Sequence, residues 1–199
     1  LAALTPEQLK RLRFIGIEHW DDSVARKILE IDAPRVLVSI RSRLDALPEH
    51  RLPKLPPELA YLQAYESGSD SLTNLDALSA LTKLVYCDIN LMREHELSMN
   101  LLKEAKALRI LRLSAVLSNT AALAQLTALR EMHFSYPAQV ADVAFAPNLK
   151  ELRQLILPGQ PVKSLEPLGS LPALEVVYAA ESAIEQLPKK ALPKLKEMN

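Results

Sequence analysis

A right-handed α/β solenoid is the fold this sequence predicts, with one parallel β-sheet on the concave face and short α or 3₁₀ helices on the convex face. Three observations predict it. An apolar-x-x-apolar-x-apolar frame recurs along the 199 residues, with starts at 12, 33, 59, 84, 108, 129, 152, 174 and 195. The intervals run from 21 to 26 residues, so eight complete units and a partial ninth are expected to fill a single domain over residues 1–199. Within each unit the last two apolar positions are two apart, which puts them on one side of a short strand. Composition adds the third observation: 49% of the residues are hydrophobic but only 5% aromatic, so the core is to be built from Leu, Ala, Val and Ile. One unit cannot bury its own apolar side, whereas stacked units bury it together.

The frame passes through Leu12/Ile15/Ile17, Ala33/Val36/Val38, Leu59/Leu62/Ala64, Leu84/Cys87/Ile89 and Leu108/Leu111/Leu113. It continues through Leu129/Met132/Phe134, Leu152/Leu155/Leu157, Leu174/Val177/Ala179 and Leu195/Met198. The fourth and sixth positions point into the core; the third, fifth and seventh point to the open side of the strand. With strands about 4.8 Å apart, eight units stack to a length of about 35–40 Å.

The return segments complete each coil. Thr5-Pro6-Glu7-Gln8 reads as a capping box with Pro at the first helical position. Asp22 caps a second predicted helix, whose apolar face is Val24, Ala25, Ile28 and Leu29. Leu97, Leu101, Leu102, Ala105 and Leu108 form a further stripe, which predicts a helix over 96–108. Later returns contain Pro and Gly, as in Ser164–Leu171, and predict single 3₁₀ turns. The prolines 48, 53, 56 and 57 predict an extended return over 45–58, and Glu66–Thr73 a mobile loop.

These residues resemble the leucine-rich-repeat superfamily over 4–199. The unit Ser164–Leu187, with Leu165, Leu168, Leu171, Leu174, Val177, Ala179, Ile184 and Leu187, resembles the internalin-type bacterial repeat. The stretch Leu52–Leu62 is similar to the short repeats of secreted bacterial leucine-rich effectors. The resemblance implies protein recognition on the concave face. One feature departs from it. The superfamily's turn Asn, at the ninth frame position, is replaced by Trp20, Arg41, Ser67, Met92, Val116, Pro137, Gln160 and Ser182. The side-chain ladder through the turns is therefore expected to be absent, with the backbone groups satisfied by other means.

Charge and chemistry narrow the function. Lys plus Arg and Asp plus Glu each number 24, a balance that argues against a nucleic-acid binder. Cys87 is the one cysteine, so no internal disulfide forms. This favours a cytoplasmic chain; a secreted or periplasmic one, with its signal outside these residues, is the alternative. No apolar run approaches the roughly 18 residues of a membrane span. The histidines 19, 50, 95 and 133 show no metal-ligand spacing. Glu94-His95-Glu96 reads as a solvated cap, and Cys87, at an inward position, as a structural thiol. Four glycines make no phosphate loop, and no Gly-x-Ser-x-Gly elbow occurs. No cofactor, metal or catalytic residue is assigned, and the chain is read as not an enzyme.

The open-side positions carry the candidate partner-binding residues. Four of the five tyrosines fall there: Tyr61, Tyr65, Tyr86 and Tyr178. Tyr combines apolar contact with a hydroxyl and favours interfaces, although strands favour it too. Asp88, Arg112 and His133 occupy fifth positions of consecutive units. Arg109, Arg130 and Arg153 occupy the second positions of three consecutive units and form a column. That column is either a hydrated rim offset by Glu131 and Glu151, or a receiver of carboxylates from an acidic protein partner. At the C-terminal end Leu195 and Met198 stand in mid-frame, which predicts a continuing chain or end-to-end self-association through that edge. Two functions remain open: a protein-binding module gripping its partner on the concave sheet, or a structural repeat scaffold within a longer chain.

Overall fold

A computed structural model describes Gln8, residues 14–17, 37–43, Leu55, and residues 59–65, 75–91 and 96–199. Apart from Gln8 and the buried Leu55, the expected capping box at Thr5, the helix after Asp22, the extended return over 45–58 and the loop Glu66–Thr73 lie outside the described residues, as do Glu94 and His95.

One strand per unit builds a nine-stranded parallel sheet. In chain order its strands are β1 (Phe14–Ile17), β2 (Leu37–Arg43), β3 (Leu59–Tyr65), β4 (Tyr86–Asn90) and β6 (Ile110–Ser114). They continue with β8 (Glu131–Phe134), β9 (Gln154–Ile156), β10 (Val176–Tyr178) and β11 (Glu197–Met198), each paired with the next. The inward column Leu62, Cys87, Leu111, Met132, Leu155 and Val177 is buried throughout, and successive members are direct partners across the ladder. Alternation within each strand therefore sorts the side chains as the frame requires.

The register corrects the second unit. Val36 and Val38 were expected to be the inward pair there. Instead β2 places Val38 beside Ile15 and Ile40 beside Leu62, with an irregularity between Val38 and Ser39. Ala33-x-x-Val36-x-Val38 and the later Val38-x-Ile40 offer the same alternation. A shift by an even number of residues keeps every side chain on its face, so only pairing with β1 and β3 decides between them.

The returns climb in steps of three. Leu78, Leu81 and Leu84 are buried, as are Met99, Leu102, Ala105 and Leu108, then Leu123, Leu126 and Leu129, then Val143, Ala146, Leu149 and Leu152, then Leu165, Leu168 and Leu171. Within each series the later N–H donates to the carbonyl three residues back, as from Leu102 to Met99 (3.1 Å) and Ala105 to Leu102 (2.9 Å). A 3₁₀ turn has three residues per turn, so one residue in three faces the core. The expected helix over 96–108 is corrected on this ground: Glu96–Ser98 is a strand (β5), followed by a 3₁₀ turn at Met99–Leu101. The later returns are 3₁₀ turns as expected, at Ala146–Asn148 and Glu166–Ser170.

A second parallel ladder flanks the main sheet. β5 pairs with β7 (Val116–Ser118), and Asn119 donates from Nδ2 to Ser98 Oγ at 3.0 Å. Further along, the ninth frame positions supply turn bonds after all. Gln160, almost fully buried, accepts from the Val140 N–H (2.9 Å) and donates to the Pro158 carbonyl (3.2 Å). Ser182 accepts from the Gln160 N–H (3.2 Å) and donates to the Leu157 carbonyl (2.8 Å). The expected absence of a turn ladder is thus corrected for these two units. A carboxamide and a hydroxyl each hold both a donor and an acceptor, which is what the superfamily's Asn contributes.

At the C-terminal end β11 closes the sheet. Leu195 packs against the core and Met198 stays 37% exposed. The strand is two residues long, and both of its residues are exposed. Among the described residues no helix is long and apolar enough to cross a membrane.

Candidate functional site

The open face of β3, β4, β6 and β8 gathers six of the ten expected site residues. Tyr61 and Tyr86 are direct cross-strand partners and stack with ring centroids 6.4 Å apart at 27°. Their rings cover the strand face at third frame positions, where side chains stand away from the core. One step along the strands, Asp88 is flanked by Gln63 on β3 and Arg112 on β6. The Tyr86 hydroxyl donates to Asp88 Oδ2 at 3.1 Å, and Gln63 Nε2 donates to the same oxygen at 3.4 Å. Arg112 lies with its guanidinium carbon 6.0 Å from the Tyr86 ring centroid, within cation–π range. His133 follows Arg112 in register, and its Nε2 is 3.2 Å from the Ser135 hydroxyl. Tyr65 pairs with Asn90 at the far end of β3 and is half-buried.

The electrostatics follow from this packing. Partial burial pushes the Tyr86 phenol up, and the charge and hydrogen bond of Asp88 push it further, against the opposing pull of Arg112. His133 is held below its ordinary value by loss of solvent and by the Arg112 charge, with Asp88 pulling the other way. Both shifts favour the neutral forms of Tyr86 and His133. Although Asp88 and Arg112 are neighbours in the sheet, these two form no ion pair: Asp88 takes its bonds from Tyr86 and Gln63, while Arg112 rests on the tyrosine ring.

The other four expected residues lie apart from this cluster. Tyr178 is on β10, separated from His133 by Ile156 on β9. Arg109, Arg130 and Arg153 do form one row, at the N-terminal margin of the sheet. The Arg130 N–H donates to the Arg109 carbonyl and the Arg153 N–H to the Arg130 carbonyl, both at 2.8 Å. Glu175, rather than Glu131 or Glu151, pairs with the last of them: it lies 3.9 Å from Arg153 and 2.6 Å from Lys196. Lys196 holds the Glu175 carboxyl below the usual carboxylate range, with Arg153 adding to the effect. Among the described residues Arg109 and Arg130 have no such partner.

Gln63 and Ser135 were not singled out from sequence, because neither residue type announces a role without its neighbour. In the second unit the backbone register sets Arg41 in line with Gln63 and Arg43 in line with Tyr65. Cys87 lies directly beneath this face and is fully buried, and burial raises its thiol far above the ordinary value. It is a packing residue. Among the described residues no group of three His, Cys, Asp or Glu is placed to hold a metal ion.

No described protein family matches the chain, and no curated protein matches it in sequence. Solved structures match it in shape. An internalin, InlF, of Listeria monocytogenes superposes with a TM-score of 0.52 at 14% identity, over 81% of this chain and 52% of that one. Internalin C2 of the same species gives 0.62 at 18% identity, over 92% and 77%. A leucine-rich-repeat protein of Leptospira interrogans gives 0.55 at 15% identity, over 98% and 56%. The chain spans about half the length of the first and third of these structures. At such identities the likeness is one of architecture: the chain has the leucine-rich-repeat fold.

Proposed function

We propose that the chain is a non-catalytic binding module, which grips a protein partner on the concave face of its sheet. The observation that carries this is the cluster centred on Tyr86. It combines two stacked tyrosine rings, a carboxylate already held by two donors, and a guanidinium laid on a ring and, among the described residues, paired with no carboxylate. Aromatic rings and arginine are the side chains that most often dominate binding energy at protein interfaces. They stand here on strands rather than on loops, so little conformational freedom is lost when a partner docks. The fold supports the same reading, since stacked repeats create extended concave binding surfaces.

An acidic partner fits best. Among the described residues Arg109 and Arg130 form no ion pair, and Arg112 presents donors suited to bidentate bonding. The test is a pull-down from the source organism with the intact chain, a concave variant (Tyr86→Ala with Arg112→Glu) and a convex variant (Lys103→Glu). A specific protein retained by the intact chain and the convex variant, and lost from the concave variant, is the expected result. Equal retention by all three would remove the concave face as the site.

A further inference from the structure

We infer that the concave face is polarised along the stack and takes an amphipathic segment of another protein, with carboxylates over β6 and β8 and apolar side chains over β9 and β10. This rests on the binding reading above and specifies the partner's chemistry.

The middle rungs are cationic. β6 and β8 and their leading residues carry Arg109, Arg112 and Arg130 against Glu131, with His133 beside Arg112. The acids on either side are engaged: Asp88 accepts from Tyr86 and Gln63, and Glu175 takes Lys196 and Arg153. The two rungs thus keep an excess of positive charge that the protein does not neutralise among its described residues. In contrast, every ion pair among the described residues lies in the C-terminal rungs, where unlike charges fall opposite each other.

The next two rungs change character. Their open-side positions hold Gln154, Ile156, Pro158, Val176, Tyr178 and Ala180, all partly exposed, none charged and all but Gln154 and the Tyr178 hydroxyl apolar. Tyr178 pairs with Ile156 and Ile156 with His133, so this apolar shelf adjoins the cationic rungs without a gap. From β6 to β10 is three rungs, about 14 Å. About nine or ten residues of helix, or four or five of extended chain, cover that distance. One short segment therefore reaches both regions. A purely acidic segment would leave the shelf wet, and a purely apolar one would strip water from guanidinium groups without pairing them. An amphipathic acidic segment satisfies both.

The probe is a phage-displayed library of random 16-residue peptides, selected on the folded 199-residue chain. Enriched peptides are synthesised with a photoreactive group at the apolar end, and their affinities are measured at about 50 and about 300 mM salt, which spans strong to weak screening. Peptides with Asp or Glu clustered toward one end and apolar residues toward the other are expected. Their Kd is expected to rise at least fivefold with salt, and the photoreactive group to label β9 or β10. Arg112→Gln with Arg130→Gln should abolish most of that salt dependence. Ile156→Ser with Val176→Ser should weaken binding by a similar factor at both salt levels. Circular dichroism confirms that each variant is folded. Enriched peptides that are basic, or purely acidic, or that label β3 or β4 from their apolar end, would overturn the inference while leaving the binding reading standing. Failure to enrich any peptide over the Tyr86→Ala, Arg112→Glu variant would overturn both.

Discussion

Tyr86 shows how one residue can organise a surface. Its ring stacks on Tyr61 and carries Arg112, while its hydroxyl occupies Asp88. The adjacent opposite charges are kept from quenching each other, and Arg112 stays available. His133 adds a pH term. The groups facing it are Asp88 and Arg112 across the earlier rungs, Ser135 on its own strand and Ile156 on β9. Its folded-state value lies below 6.5, so the unfolded chain binds more protons than the folded one as pH falls past that point. The stabilising contribution is complete above about pH 6.5 and is lost as pH drops through the folded value. Urea midpoints measured between pH 7 and pH 5 should fall more for the intact chain than for His133→Gln; parallel curves would contradict this. In the core, Leu111 is fully buried in the middle of the inward column. Leu111→Ala should cost about 2–5 kcal/mol as a cavity, and a loss below about 1 kcal/mol in urea denaturation would contradict that placement.

At the scale of elements, the strands were legible and the returns only in part. Period-two alternation with a fixed repeat distance marks Leu62, Cys87 and Leu111 without help from tertiary structure. The stripe of Leu97, Leu101, Leu102, Ala105 and Leu108 satisfies helical spacing, but Met99, Leu102, Ala105 and Leu108 satisfy a spacing of three equally well. What decides is that each return has to finish in time to start the next strand. The ninth frame position misled for a different reason: it was judged by residue identity, whereas the turns need only a donor and an acceptor on one short side chain. Gln160 should therefore matter more than its position on a return suggests. Gln160→Ala leaves the buried Val140 N–H without its acceptor, at a cost of about 1–3 kcal/mol. Chemical denaturation checks it, and a change within about 0.5 kcal/mol, as expected of ordinary surface positions, would show that the turn bonds are dispensable.

For the molecule as a whole, the repeat carries the fold, and the open face holds the residues proposed to bind a partner. The frame made Tyr61, Tyr65, Tyr86, Asp88, Arg112 and His133 neighbours on paper, and the sheet register makes them neighbours in space. It also made a column of Arg109, Arg130 and Arg153, but could not show that Glu175 claims the last of them. Long flexible side chains choose partners by reach, which spacing along the chain does not record. The register of Arg41 and Arg43 is not legible from spacing, because an even shift leaves alternation intact while changing which residues stand opposite.

On the proposed reading, partners engage the concave sheet and not the convex returns. Site-specific photocrosslinking tests it most directly. A photoreactive amino acid is placed at position 86, on the sheet face, or at position 104, exposed on the return after Met99–Leu101. Each protein is then irradiated in extract of the source organism. A discrete adduct from position 86 that is absent from position 104 is the expected result. An adduct from position 104 alone, or the same adduct from both, would contradict it.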